Sequence, residues 1–214
     1  MNIIKHFFPK EQYYPIKTKK KGVVLHHTVS GIGAEGDINW WKETPSHVGT
    51  PIIITRDGKI HRLFSTKYWI HHLGIKRWQF KHFGLKSQNK FLNQSFIGIE
   101  LDSWGGLVKR SDGNYYNSVG GKVCSDKVVK YSKSYRGYKY YEKYTEKQLT
   151  SLKEFLLYLQ DYYSLDLKYK GEIMFEFNSR ALSGEEGLWS HTSFRPDKSD
   201  VHPQEELINI LKSI

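Results

Sequence analysis

The chain has 214 residues, 38% of them hydrophobic and 15% aromatic, and its 33 Lys and Arg against 22 Asp and Glu leave a formal charge of +11. That length favours one domain carrying a long insertion, and the composition supplies a packed core, which excludes a disordered tail or a collagen-like repeat as the whole molecule. No stretch approaches the roughly 18 consecutive apolar residues of a membrane span; the longest apolar runs, Gly22 to Leu25 and Pro51 to Ile54, are strand-sized.

The N-terminal MNIIKHFFPKEQ is too short in its apolar part, and too soon interrupted by His6, Pro9 and Lys10, to read as a secretory signal. Synthesis in a cytoplasm without Sec-type export is therefore the expectation. A basic arm over residues 1–21, with Lys17, Lys19, Lys20 and Lys21, leads into Val23-Val24-Leu25, a buried strand that ends in His26 and His27. DINWWKE reads as a short helix with Asp37 as N-cap. Pro51 to Thr55 and Lys59 to Phe64 read as two strands joined through Arg56-Asp57-Gly58, a hairpin whose glycine suits a turn needing positive φ. Ser95 to Leu101 is a further buried strand, in which Gly98 marks close approach of a neighbour.

Residues 102–143 are rich in Gly, Ser, Lys and Tyr with little periodicity, and read as a long insertion or a β-rich excursion over the surface. The clearest helix follows: Thr145-x-x-Gln148 has the form of a capping box, and Leu149, Leu152, Phe155, Leu156, Leu159 and Tyr163 make one apolar stripe. A second amphipathic helix runs from about Gln204 to Leu211, after Pro203. Alternating strand-like and helical pieces give an α/β or α+β class with a central sheet. Cys124, the single cysteine, has no intrachain disulfide partner and lacks the companions of a metal knuckle.

Alternation along a strand sends His26 and His27 to opposite faces, so at most one of the pair joins a given site; an interior histidine with a surface neighbour accounts for them as well as a metal ligand does. In LWSHTSFRPDKSD, His191 and Asp200 stand nine positions apart across a loop. Such a pair can reach one zinc ion, with a third ligand brought from another strand and the fourth position left for water.

In order along the chain come VVLHHT, VGTPIIITRDGKIHRLF, WIHHLG, SFIGIEL, YTEKQLTSLKEFL and SHTSFRPDKSD. Together these strings resemble the zinc-dependent N-acetylmuramoyl-L-alanine amidase family, which takes in phage amidase lysozymes, wall-recycling amidases and peptidoglycan recognition proteins. The resemblance spans Val23 to Asp200, and implies an α/β fold with a central mixed β-sheet flanked by helices, forming a single catalytic domain over residues 1–214. It implies Zn2+ as cofactor, with His26, His191 and Asp200 as ligands, Glu100 as catalytic acid/base and Lys198 supporting the transition state. His72 is expected to line the substrate groove and His27 to be structural. Where phage-type members often carry a tyrosine after Val-Gly, this chain has Thr50, which is placed among the substrate-binding residues; Pro51 stands where histidine is common, and His71 where tryptophan is usual. The implied reaction is hydrolysis of the amide between the lactyl group of N-acetylmuramic acid and L-alanine in peptidoglycan.

The charge of +11 suits anionic wall polymers as well as a merely well-solvated surface. No helix-turn-helix, finger or RNA-reading motif accompanies it, so no nucleic-acid partner is expected. The tyrosines and lysines of residues 102–143 suit either a wall-contact surface or a decorated loop packed on the domain. The setting implied is that of a monomeric phage-type endolysin or wall hydrolase, with a recycling enzyme as competitor. A non-catalytic peptidoglycan-binding module is the alternative from another class, and a polymerase-binding regulator a third.

Overall fold

The computed structural model of the chain describes residues 1–214. In chain order its strands are β1 (Ile3–Lys5), β2 (Gly22–His27), β3 (Ile52–Ile54), β4 (Ile60–Arg62), β5 (Phe96–Leu101), β6 (Gly106–Lys109), β7 (Tyr115–Tyr116), β8 (Lys122–Val123), β9 (Val128–Tyr135), β10 (Tyr138–Glu142) and β11 (Gly187–Ser190). The α-helices are α1 (Glu35–Glu43), α2 (Arg77–His82), α3 (Asn89–Ser95), α4 (Glu146–Tyr163), α5 (Ser179–Leu182), α6 (His191–Phe194) and α7 (Glu205–Leu211).

The central sheet is mixed, in the order β1-β4-β3-β5-β2-β11. Only the hairpin pair β3–β4 is antiparallel; β1–β4, β3–β5, β5–β2 and β2–β11 are parallel. Strands buried on both faces need continuous apolar runs rather than alternation, which is why Val23-Val24-Leu25 and Ile52-Ile53-Ile54 fill the middle of the sheet, all of them fully buried. On one face the stripe Leu149, Leu152, Phe155, Leu156 and Leu159 of α4 packs with Leu25, Ile52, Ile54, Ile97 and Leu101. Each such side chain contributes about 1.5–3 kcal/mol on burial. Ile38 and Trp41 of α1 pack with Ile53, Leu63, Phe64 and Ile70 in a separate cluster. Helices thus flank the sheet.

Register decides what stands beside what. His26 is paired with Glu100, and Glu100 with Ile53. Paired residues of neighbouring strands share a face, so His26 and Glu100 stand on the side that carries Ile53 and α1, and His27 on the side of α4. Both lie at the carboxyl ends of parallel strands, and His191 follows directly on β11; this edge is where open α/β sheets build their sites.

Residues 102–143 are a folded layer, not a loose loop: they form an antiparallel sheet in the order β8-β7-β6-β10-β9. Cys124 is exposed on it. The basic arm is likewise integrated. β1 adds a parallel edge strand to β4, Phe8 joins the α1 cluster, and Tyr14 stacks on Trp69 at 3.9 Å. Two expected caps differ. The residue before α1 is Ala34, and Asp37 lies within the first turn, where its carboxylate accepts a hydrogen bond from Ser30 at 2.7 Å. Thr145 does cap α4, accepting from the Gln148 amide at 3.1 Å, but the Gln148 side chain donates to the carbonyls of Ile54 and Asp102 and leaves the box half made. Gly98 behaves as its sequence position implies: a Cβ there would meet Thr50 Cγ2 at 2.7 Å and His72 Nδ1 at 3.0 Å.

Candidate active site

His26, His191 and Asp200 are brought together from β2, the start of α6 and the loop after it, all buried. Their facing atoms form a tight triangle, with His26 Nδ1 to His191 Nδ1 at 3.0 Å, His191 Nδ1 to Asp200 Oδ2 at 2.8 Å, and His26 Nδ1 to Asp200 Oδ2 at 3.4 Å. A tetrahedral zinc site with bonds of about 2.0–2.1 Å has ligand–ligand edges of about 3.3 Å.

Hydrogen bonds behind the triangle fix which atoms face inward. His72 Nε2 lies 3.2 Å from the Phe96 carbonyl and must donate to it, which leaves Nδ1 of the neutral ring as an acceptor. His26 Nε2, 3.0 Å from that Nδ1, therefore carries a proton, and His26 Nδ1 presents a lone pair. His191 Nε2 donates to the Leu73 carbonyl at 2.9 Å, so its Nδ1 does the same. Burial favours the neutral form of His26 and His72: it pushes His26 down to about 4, assisted by His191, and His72 well below its ordinary value. Two imidazole lone pairs and a carboxylate oxygen pointed at one spot repel unless a proton or a cation lies among them. The residues present fit a divalent metal, and each imidazole has the carbonyl or imidazole partner that orients a ligand from behind.

Glu100 stands next to His26 in register, and its Oε2 is buried with no hydrogen-bond partner. Burial first, then the Asp200 and Asp37 carboxylates, raise it well above the usual carboxylate range, while Lys198 opposes the shift. Lys198 is half-buried at the rim and forms no ion pair. The groove has a volume of about 470 Å³, and His26, Glu100, His191, Lys198 and Asp200 line it together with His72. A larger hollow of about 760 Å³ lies beside Arg56, Asp102 and Glu142, but those charges are spent on one another. The donors that face open space converge in the smaller one.

Thr50 is placed otherwise than expected. It is 1% exposed, its hydroxyl donates to the Ile52 carbonyl at 2.9 Å, and it does not line the groove. The near acceptor two residues along claims the hydroxyl, and Gly98 receives its methyl. His27 points the other way from His26, and its Nδ1 is hydrogen-bonded with the Tyr144 hydroxyl at 3.0 Å. Sequence reasoning passed over Asp37 and Trp40, which stand three apart on α1 and both line the groove. That i, i+3 spacing was the available signal. It also gave His72 a lining role without showing that His72 holds the His26 ring.

A family model described as N-acetylmuramoyl-L-alanine amidase matches residues 16–203. Comparison with curated proteins returns no match. Among solved structures, PlyL superposes with a TM-score of 0.55 at 14% identity, covering 99% of this chain and 98% of that one. A mutant endolysin from Bacillus subtilis gives 0.54 at 14% identity over 100% and 97% of the two chains. The Staphylococcus aureus hydrolase AmiA, in complex with its ligand, gives 0.53 at 12% identity over 99% and 82%. At such identities the structural likeness is one of fold, whereas the sequence match takes in β2, β5, β11 and all three residues of the triangle. On that match the chain belongs to the N-acetylmuramoyl-L-alanine amidase family.

Proposed function

We propose that this amidase is zinc-dependent and cleaves the amide between the lactyl group of N-acetylmuramic acid and L-alanine in peptidoglycan. The observation that carries the reading is the triangle of proton-free atoms beside a buried, unpartnered glutamate oxygen. His26, His191 and Asp200 would hold the zinc, which when bound would supply Lewis acidity that lowers the pKa of water from about 15.7 toward about 7.

The protein's own groups account for the rest. Glu100 Oε2 accepts the proton of the attacking water and passes it to the departing nitrogen of L-alanine, a role worth about 10²–10⁴-fold. Its raised affinity for a proton suits it to hold one between the two steps. Lys198, free of an acidic partner, places positive charge where the carbonyl oxygen becomes an oxyanion. Trp40 and Asp37 form the α1 wall against which substrate is oriented.

The setting we infer is that of an endolysin acting on intact wall as a monomer. The charge of +11 supports it, since a cationic protein is drawn to anionic wall polymers. To test the reaction, the protein is incubated with purified wall and the digest read by mass spectrometry. New L-alanine amino termini are expected, lost on chelation and regained with zinc. A folded, zinc-loaded sample that releases none rejects the reading.

A further inference from the structure

Both ends of the segment from His191 to Asp200 are held by the sheet of residues 102–143. The Tyr135 hydroxyl lies 3.3 Å from Thr192 Oγ1 and 3.3 Å from the Val201 carbonyl, so one side chain touches the residue after each of the two ligands. Its third neighbour is the Phe175 carbonyl at 3.2 Å. Arg136, at the turn after β9, donates to the carbonyls of Pro196 and Phe175 and so reaches the middle of the same loop. Two residues past Asp200, His202 donates through Nε2 to the Glu142 carbonyl at 3.0 Å, and its Nδ1 accepts from the Tyr131 hydroxyl at 2.7 Å. The His202 ring is sandwiched between Tyr141 and Tyr144, with centroids 4.5 Å away on either side. Within the segment the backbone bond between its ends is that of the Thr192 amide to the Asp200 carbonyl, at 3.1 Å, with the Arg195 amide turned back on the His191 carbonyl at 3.1 Å.

We propose that the hairpin β9–β10 is a clamp that preorganises the His191 and Asp200 ligands for their metal, with Tyr131 and Tyr135 as positioning residues. The inference rests on the reading of the triangle as a metal centre. An unclamped loop must lose its freedom when the cation arrives, and that cost weakens binding; a loop already fixed at both ends has met it on folding. The hydroxyls act through Thr192, Val201 and His202 and touch neither metal nor substrate.

The test uses the full chain with Tyr131→Phe and Tyr135→Phe combined, which removes the two hydroxyls and keeps the rings. Zinc affinity is measured by competition with a chelating dye, zinc release by stopped flow, and the ligand field by the visible spectrum of the cobalt(II)-loaded protein. The expected result is roughly 10-fold or greater weakening of zinc binding, faster release and an altered cobalt spectrum. Lys133→Ala, on an exposed position of the same strand, should match the wild type. Unchanged affinity, release and spectrum overturn the clamp, even if the urea midpoint of the metal-free protein falls. Should the double variant not fold, Tyr135→Phe alone is judged by the same criteria. A wild-type chain that takes up no stoichiometric zinc would instead overturn the metal centre on which the clamp depends.

Discussion

His72 shows how much a single residue can decide without touching the reacting atoms. Its ring lies between the Phe96 carbonyl and His26, and by accepting the hydrogen bond of the His26 Nε2–H it dictates that Nδ1 faces the triangle. His72→Ala should leave that N–H without an acceptor and the His26 ring free to turn, lowering zinc affinity about 10–100-fold, read by chelator competition. Glu100→Gln separates binding from chemistry. It keeps the shape and removes the proton carrier, so turnover on purified wall should fall by at least about 10²-fold while metal analysis still finds one zinc per chain. A glutamine variant that retains turnover would transfer the acid/base role elsewhere.

At the scale of elements, β5 and α1 each set one wall of the groove. Gly98 lets Thr50 and His72 close onto β5, and a Cβ there would overlap the first at 2.7 Å and press on the second at 3.0 Å. Gly98→Ala should cost about 1–3 kcal/mol in urea unfolding and also weaken zinc binding, because the neighbour displaced is the one that holds His26. On α1, Asp37 has the helix dipole in its favour, yet burial outweighs it and raises its carboxyl to about 6. Since the folded state holds this proton more tightly than the unfolded chain, the associated stability is fully present below about pH 3.8 and is lost as pH rises through about 6. Asp37→Asn should therefore stabilise the protein by about 1–2 kcal/mol at pH 8 and by almost nothing at pH 3.5, measured by urea titration at both. Placement of these elements explains what the chain could disclose beforehand. The triangle was legible because its members end strands or close a loop in ordered strings. The fate of Thr50 was not, since the string does not show whether its hydroxyl donates to the Ile52 carbonyl or faces the groove. β1 escaped notice because three residues are too few to carry a period, and residues 102–143 were legible as a β-rich excursion but not strand by strand, since Tyr115–Tyr116 and Lys122–Val123 are only two residues long.

Across the whole molecule, Arg56 is the joint between the central sheet and the antiparallel layer. From the β3–β4 turn its guanidinium binds Glu142 at the end of β10 through Nε at 3.0 Å and Nη2 at 2.7 Å, and it pairs with Asp102 just past β5. It also donates to the carbonyls of Gly31 and Ser30 ahead of α1. The two carboxylates have other donors, the Gly33 amide on Asp102 and the Trp104 amide on Glu142, so four parts of the chain meet at one cation. Arg56→Met would leave two buried carboxylates without their counter-charge. Breaking a buried pair from one side costs about 3–5 kcal/mol, a large share of the roughly 5–15 kcal/mol that holds a domain folded. Arg56→Lys should recover only part, because an ammonium cannot reproduce the two-pronged contact with Glu142. The deficit has a pH signature: burial raises the Asp102 carboxyl above its ordinary value, and protonating it removes unpaired charge, so the gap between wild type and Arg56→Met should narrow as pH falls from 7 toward 4. A gap that stays constant over that range would mean that Arg56 contributes packing alone, and that the layer carrying Tyr131 and Tyr135 is held to the sheet by its aromatic contacts.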